Sequence, residues 1–293
     1  MLIVIISFAF LFTGCWKDDL SNCPDNSRKI NLTVKAYDQN NTELTTDVVK
    51  DVDLYLFDSQ KRFLKQMKAP LNTSIVLDLS DITEETQFHI VGWGNVSDGK
   101  QSFPQPQVGD KMEDCFVKLL TDEASFTLPP TDLFRGDVPL VFSATNSGSQ
   151  ELLLPMSRQT GSLTVTVLGL KEFYGEADDN YSLVVRSVGS SIAFNGTLPN
   201  DPVSYKPAGA FSTEGGKEEY EVPIFNILPC DGIFIDIYHG TDLVTTLSAS
   251  NEGLPIDIKQ GELTNVLINL RDAKLDINVS LTQWGEKQLW KEF

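Results

Sequence analysis

The sequence contains very little histidine, which limits the metal and acid–base chemistry it can carry. Only His89 and His239 occur among 293 residues, and they are far apart in the chain. No HExxH or HxH pattern brings two imidazoles together, as zinc sites require. His89 lies in the apolar stretch Phe88-His-Ile-Val91 and is expected to be structural. The sequence therefore predicts no metal site and no cofactor.

Motifs that hold a nucleotide or present a nucleophile are also absent from the sequence. There is no GxxxxGK[ST] loop, no GxGxxG turn and no GxSxG elbow. Acidic pairs are so numerous that they do not single out a glycosidase site. Asp178-Asp-Asn180 lacks the spacing of a calcium-binding EF-hand loop and is interpreted as a solvated turn, with calcium binding as the alternative. No catalytic residue is predicted, and we expect a protein that is not an enzyme.

Basic residues are few compared with acidic ones. The chain has 23 Lys and Arg against 41 Asp and Glu, a formal net charge of −18. Such a surface repels nucleic acid and anionic lipid, and no basic stripe reverses the charge locally. Nucleic acid is therefore excluded as a partner. Hydrophobic residues make up 41% of the chain, which is enough to form packed cores.

Cysteine is scarce, and no CxxC pair suggests zinc or thioredoxin chemistry. The four cysteines are Cys15, Cys23, Cys115 and Cys230. If Cys15 carries a lipid, three thiols remain, and two of them can pair in an oxidising compartment. We favour Cys23–Cys115, because both flank one predicted domain and a bridge would fix the linker to it. Three free thiols are the alternative, since sequence does not determine connectivity.

The N-terminus carries the most specific local signal. The apolar run 1–14 is shorter than the roughly 20 residues of a membrane-spanning helix and suits the core of a signal peptide. Small residues at 13 and 14 followed by Cys15 are typical of a bacterial lipoprotein cleavage box, because small side chains let a peptidase reach the backbone and the thiol takes the lipid. We predict a signal peptide over 1–14 and lipidation of Cys15. An ordinary secretory signal with an incidental cysteine is the alternative.

The residues after Cys15 indicate a destination. Lys17-Asp18-Asp19 is similar to the export signal of Bacteroidetes surface lipoproteins, and this resemblance implies transport to the outer face of the outer membrane. An acidic linker without an export role is the alternative. Residues 15–28 are then a lipidated linker.

Alternation of apolar and polar residues runs through the rest of the chain. Clear examples are Ile30–Ala36, Val52–Phe57 and Ser162–Leu170. Connectors rich in Asn, Asp, Ser and Gly separate them from further short stretches, among them 87–93, 125–128 and 181–188. Period-two alternation predicts half-buried strands, and only 111–120 has helical spacing. Many short strands predict antiparallel β-sandwiches. We expect one over 29–150 and another over 151–293.

Several segments together resemble the FimB-like family of Bacteroidales fimbrial anchor and accessory lipoproteins. They are the lipidated start Cys15–Pro24, the aromatic strand Asp51–Asp58, the Trp-Gly-Asn signature in Phe88–Asn95, and the strand Arg158–Val167. The resemblance implies an all-β fold of two transthyretin-like sandwich domains in tandem. It also implies a non-catalytic role at the base of a fimbria, where an anchor attaches the shaft pilin to the outer membrane and limits its length.

The predicted lipid constrains how such a protein joins a polymer. In related pilins a protease removes the first strand, and a strand of a neighbouring subunit fills the groove. Cleavage after Arg28 or Lys29 would release the body of this chain from Cys15. We therefore predict that Ile30–Ala36 is retained, and that the shaft is contacted through the other end. The candidate donor strand presents Leu275, Ile277, Val279 and Leu281 and is followed by a tail through Trp290. A last strand of the second domain is the alternative.

Two other functions remain open at this point. A surface glycan-binding lipoprotein would use Trp93, Trp284 and Trp290 to line a sugar site, although the glycines around Trp93 favour its burial at a strand end. A minor or tip fimbrial subunit is the nearer alternative, and the retained lipid argues against it.

Overall fold

The protein is built almost entirely of short β-strands. A computed structural model describes residues 28–82, 86–97, 99–142, 150–175, 178–212, 218–271 and 275–286. In chain order the strands are β1 Lys29–Tyr37, β2 Val52–Phe57, β3 Phe63–Ala69, β4 Ser74–Asp78, β5 Gln87–Gly94, β6 Gln101–Ser102, β7 Phe116–Leu119, β8 Phe134–Val141, β9 Gln150–Arg158, β10 Gly161–Leu168, β11 Tyr181–Gly189, β12 Ser191–Ala193, β13 Pro202–Tyr205, β14 Ala210–Ser212, β15 Glu219–Ile227, β16 Phe234–His239, β17 Asp242–Leu247, β18 Glu262–Asn269 and β19 Asp276–Gln283, with one short helix, α1 Leu170–Tyr174. The all-β prediction is confirmed.

The first half of the chain forms one sheet that folds into two layers. Its strand order is β3-β2-β5-β8-β9-β1-β4, and β8 meets β9 through only two residue pairs. Alternate side chains of β1 and β2 face the core between the layers, where Ile30, Leu32 and Leu54 are almost fully buried. The period-two pattern of the sequence thus produces this sandwich directly.

The second half forms a five-stranded sheet, β14-β15-β10-β18-β19, and a four-stranded sheet, β13-β11-β16-β17. Leu163 and Val165 of β10, with Ile235 and Ile237 of β16, are buried in the core that both sheets share. The last strand, β19, lies at one edge of the five-stranded sheet.

Each half contains one parallel strand pair, which differs from the purely antiparallel expectation. β1 runs parallel to β9, and β10 runs parallel to β18. Alternation reports which face of a strand is buried and carries no information on the direction of its neighbour. Strand direction is therefore decided by the tertiary fold.

The sheets divide later in the chain than the expected boundary between 150 and 151. β9 pairs with β1 in the first half, whereas β10 begins the second half after only Gln159 and Thr160. The halves also share a small sheet, β12-β7-β6, and a continuous apolar core. In that core, Phe194 of the second half packs on Tyr55 of the first, with ring centroids 4.8 Å apart. The junction is thus a packed interface.

Two local predictions are wrong. Residues 111–120 contain one turn of 3-10 helix, Met112–Asp114, followed by β7, which pairs with β6 and β12. Residues 125–128 form no strand and make a single bridge, between Thr121 and Thr127. Short apolar runs satisfy helical and strand spacing equally well, and the available pairing partners decide between them.

Candidate functional site

The Trp-Gly-Asn segment at the end of β5 begins the candidate site. Trp93 has no solvent exposure, and its ring lies 5.6 Å from the ring of Phe194 and 5.7 Å from that of Phe103. A Cβ on Gly94 would meet the side chain of Val49 at 2.9 Å, so this close approach requires glycine. The prediction that Trp93 is buried is confirmed, and its ring is not available to stack on a surface ligand.

Asn95 connects two loops at the junction of the halves. Its backbone is left-handed, with φ of 61°, a conformation that asparagine tolerates better than most residues. Its side-chain amide donates to the carbonyl oxygens of Val48 and Asp132, each at 2.8 Å. Its side-chain oxygen accepts the backbone N–H of Lys50 at 2.8 Å. This residue therefore holds the loop before β2 against the loop before β8.

Replacing Asn95 with alanine is expected to destabilise the protein by about 2–3 kcal/mol, because backbone groups of both loops lose their partners. The matched control is Asn95→Gly, which adopts a positive φ without strain and so isolates the lost amide bonds. Chemical denaturation measures both. If the glycine variant were as stable as the wild type, the bridging role of the amide would be refuted.

Arg158, at the end of β9, lies between two aromatic rings. Its guanidinium carbon is 5.0 Å from the ring centroid of Phe134 and 4.3 Å from that of Trp284, which follows β19. Its Nε donates to both oxygens of Asp132, at 2.7 and 2.9 Å. Only 5% of the Arg158 side chain is exposed. Arg158 therefore links the first sandwich to the segment that follows the last strand.

Burial and hydrogen bonding shift the pKa of Asp132 in opposite directions. Desolvation of the carboxyl raises its pKa above the ordinary value, and the hydrogen bond from Arg158 opposes this rise. The hydroxyl of Thr160 also donates to this carboxylate, at 3.4 Å. The charged form of Asp132 thus depends on Arg158.

Two cavities flank the Arg158–Trp284 stack. One, of about 510 Å³, lies beside β19 and is lined by Asp38, Leu44, Glu262, Leu281 and Glu286 among others. The second, of about 710 Å³, also reaches Arg158 and Trp284 and is lined by Lys50, Asp51, Asn95, Thr131 and Asn226 among others. We call the first the edge cavity, because it adjoins the edge strand of the five-stranded sheet.

β19 is firmly paired on one side. Eight residue pairs, from Glu262↔Gln283 to Asn269↔Asp276, join it to β18. Ile277 is buried in the core, whereas Leu275 and Leu281 are about half exposed. The segment predicted as a donor strand therefore occupies the last strand of the second half, as in the alternative interpretation.

Most of the residues predicted at the N-terminus lie outside the part of the chain that the structure describes. They are Cys15, Lys17, Asp18, Asp19 and Cys23, and the same holds for Trp290 at the other end. Cys115 is buried, and desolvation raises the pKa of its thiol to about 11. It is not bonded to Cys230, and the Cys23–Cys115 bridge stays a prediction.

Asp178 of the acidic turn is hydrogen-bonded within the protein. Nε2 of His239 lies 2.8 Å from its carboxylate, and this interaction is the main cause that lowers the pKa of Asp178. The backbone N–H of Asn180 donates to the same oxygen at 3.0 Å. Within the described ranges, no three His, Cys, Asp or Glu side chains are grouped as a metal site would need. The same ranges contain no helix long and apolar enough to span a membrane.

Sequence reasoning identified the Trp-Gly-Asn signature and missed the Arg158–Asp132–Trp284 cluster. The three residues of this cluster are distant in the chain, and no local spacing connects them. The sequence does indicate the left-handed backbone of Asn95, because a Gly-Asn pair at a strand end is typical of such turns.

Comparison with known proteins gives concordant results. The profile of the family described as fimbrillin-A associated anchor proteins Mfa1 and Mfa2 matches residues 20–290. The major fimbrium anchoring subunit FimB of Porphyromonas gingivalis strain W83 is 24% identical over 318 aligned positions, which cover 99% of this chain and 97% of that protein.

Solved structures share the fold at low sequence identity. The fimbrial anchor protein Mfa2 of Porphyromonas gingivalis superposes with a TM-score of 0.63 at 14% identity, covering 88% of this chain and 98% of that one. A candidate polysaccharide-binding protein of Bacteroides thetaiotaomicron superposes with the same TM-score at 15% identity and the same coverage. At such identities the likeness concerns the fold alone.

Proposed function

Because this chain belongs to the family of fimbrillin-A associated anchor proteins Mfa1 and Mfa2, we propose that it fixes the base of a fimbria to the outer membrane. The observation that carries the proposal is the family match over nearly the whole chain. Relatives that are named anchoring subunits align with this chain over 97% of their own length. The role is structural and needs no catalytic residue. The partner is the shaft subunit of that fimbria.

A lipid on Cys15 supplies the attachment to the membrane. Each buried CH₂ group of an acyl chain contributes about 0.8 kcal/mol to membrane binding, and a single chain binds only reversibly. Stable anchoring therefore needs more than one acyl chain. Lys17-Asp18-Asp19 directs the lipidated chain to the outer face of the outer membrane. A Cys23–Cys115 disulfide fixes the lipidated linker to the first sandwich, next to the 3-10 turn Met112–Asp114.

The position of Arg28 supports retention of the first strand. The carbonyl oxygen of Arg28 accepts the backbone N–H of Leu79 at 2.8 Å, and its side chain donates to the carbonyl of Ile82. The next residue, Lys29, is already paired with Asp78 as the first residue of β1. A protease needs an accessible, unpaired segment, so this arrangement supports a chain that keeps β1 together with its lipid.

A subunit that keeps its first strand ends a polymer. β1 fills its own place between β4 and β9, and Ile30, Leu32 and Val34 are fully buried there. That position therefore offers no groove to a neighbouring subunit. Contact with the shaft uses strand addition at the other end of the molecule, where β19 forms a sheet edge.

The proposal is tested by removing the gene in the bacterium that encodes this chain. Cells without the protein are expected to make fimbriae and release them into the medium, because the shaft has lost its attachment. Immunoblotting of shaft subunit in the cell and medium fractions measures the shift, and expression of the intact gene should restore attachment. If fimbriae remained on the cells without the protein, the anchoring role would be refuted.

The two alternatives have less support. A glycan site built on tryptophans loses Trp93, which is buried, and one face of Trp284 is covered by Arg158. A tip subunit would be carried away from the cell by the growing polymer, and a membrane lipid is incompatible with that position.

A further inference from the structure

We infer that the outer edge of β19 accepts an extended strand of the shaft subunit, one that carries a basic side chain for the adjoining edge cavity. The inference deepens the proposed anchoring function and rests on it. In this arrangement β19 stays in its own sheet and accepts a strand of the shaft subunit.

The contacts of β19 argue against its departure as a donor. Every residue from Asp276 to Gln283 has a partner in β18. The side-chain amide of Asn265 adds a bond of 2.9 Å to the hydroxyl of Thr282, and Ile277 belongs to the buried core. Donation would break all of these contacts at once and would open the core of the second sandwich.

The opposite edge of β19 already receives strand-like hydrogen bonds at one residue. The N–H of Ile277 donates to the side-chain oxygen of Asn251 at 2.9 Å, and its carbonyl accepts the N–H of Asn251 at 3.0 Å. A residue on a neighbouring strand makes an equivalent pair of bonds with its backbone N–H and C=O, and here the side-chain oxygen of Asn251 takes the place of that C=O. Asn251 thus occupies one position of a strand that would continue along this edge.

Beyond Ile277, Val279 and Leu281 have no second strand beside them in the part of the chain that the structure describes. In an antiparallel pair the N–H and C=O of a residue point to the same side, and the side alternates along the strand. Val279 and Leu281 therefore direct their backbone groups away from β18, as Ile277 does. No described strand pairs with them, since β19 ends its sheet. An unpaired edge of this kind binds another extended chain.

The side chains that line the edge cavity determine which side chains of an incoming strand can be accommodated there. Leu281 is 48% exposed at its rim, and Leu44 lies in its wall, so an apolar side chain finds contacts there. Asp38, Glu262 and Glu286 bring three carboxylates to the lining. Among the described residues of the lining, the one basic side chain is Arg158, and it is engaged by Asp132. The cavity is therefore negative, and a Lys or Arg next to an apolar residue of the incoming strand complements it.

The experiment uses full-length variants expressed in cells that lack the wild-type gene. Leu281→Pro removes an N–H that points away from β18 and blocks the approach of a strand, while the bonds to β18 remain. Leu281→Lys is the milder variant, because a charge on an open edge opposes strand addition. The matched control is Leu243→Lys on β17, another edge strand, where Leu243 is 54% exposed.

Both Leu281 variants are expected to lower the fraction of fimbriae held on cells by about tenfold, which corresponds to the loss of roughly 1.4 kcal/mol of binding. The control Leu243→Lys should hold fimbriae as the wild type does. Surface labelling and thermal unfolding of each variant check that the protein is present and folded. If Leu281→Pro fails to fold, Leu281→Lys decides.

Normal retention in a folded Leu281→Lys variant overturns the inference. If gene deletion still releases the fimbriae, the anchoring function stands and another surface binds the shaft. If gene deletion has no effect, the anchoring function itself fails. An equal loss of fimbriae in the Leu243→Lys variant also overturns the inference. So does a dimer of the purified protein that Leu281→Lys dissociates, because a second copy of the chain would then occupy the edge.

Discussion

Replacement of Cys15 with alanine is expected to abolish lipid labelling and to move the protein, with its fimbriae, from the membrane to the medium. The lipid is the proposed attachment, and its thioether needs the thiol of this residue. Loss should be nearly complete, because lipid anchoring contributes about 0.8 kcal/mol for every buried CH₂ group. Palmitate labelling and immunoblots of membrane and medium fractions measure the effect.

Two controls separate lipidation from folding and from export. Cys230→Ala removes a half-buried thiol that no proposal involves and should leave labelling and membrane attachment unchanged. Substitution of Lys17, Asp18 and Asp19 by alanine should keep the lipid and reduce labelling of the protein on intact cells. Unchanged membrane retention of the Cys15 variant would contradict the lipid anchor.

Replacement of Arg158 with alanine is expected to cost about 3 kcal/mol of stability. The variant leaves the partly buried carboxylate of Asp132 without its cation, and such losses are typically 3–5 kcal/mol for a fully buried pair. The lower end applies because 21% of the Asp132 side chain remains exposed. The two ring contacts, with Phe134 and Trp284, are lost as well. Urea unfolding at neutral pH measures the difference.

The pH dependence of this variant tests the cause. Without Arg158, desolvation should raise the folded-state pKa of Asp132 further above its unfolded value. A raised carboxyl pKa favours folding when the group is protonated, so part of the lost stability should return as pH falls through the folded pKa. Asp132→Asn in the Arg158→Ala background should give a similar recovery at neutral pH. A cost below about 1 kcal/mol, the scale of an exposed pair, would show that the pair contributes little.

Much of the fold is predictable from the sequence because strand alternation is a local property. The stretches 52–57, 87–93 and 181–188 agree with observed strands to within a residue or so. β3 is less evident, since Lys65, Gln66 and Lys68 interrupt its apolar pattern, the last two at exposed positions. Residues 151–158 fall in the range expected for the second domain, whereas β9 pairs with β1 of the first half.

The candidate site is predictable only in part. Trp93 was correctly expected to be buried, because flanking glycines at a strand end favour close packing. The role of Asn95 depends on Val48 and Asp132, which lie 47 and 37 positions away. Arg158 and Trp284 are even more distant in the sequence, and nothing in the type of either residue indicates that the other is its partner. The Asn95 contacts form only once the first half has folded, and the Arg158–Trp284 contact forms only after the two halves have packed.

By itself the sequence determined the all-β class and the inward-facing residues of most strands, and it predicts lipidation of Cys15. Each of these depends on neighbouring residues, through side-chain alternation or the recognition of a short peptide. Only the tertiary structure decided the parallel pairing of β1 with β9, the Arg158 contact with Trp284, and the position of β19 at an open edge. These features join segments that are remote in the chain, and they are selected by the packing of whole layers.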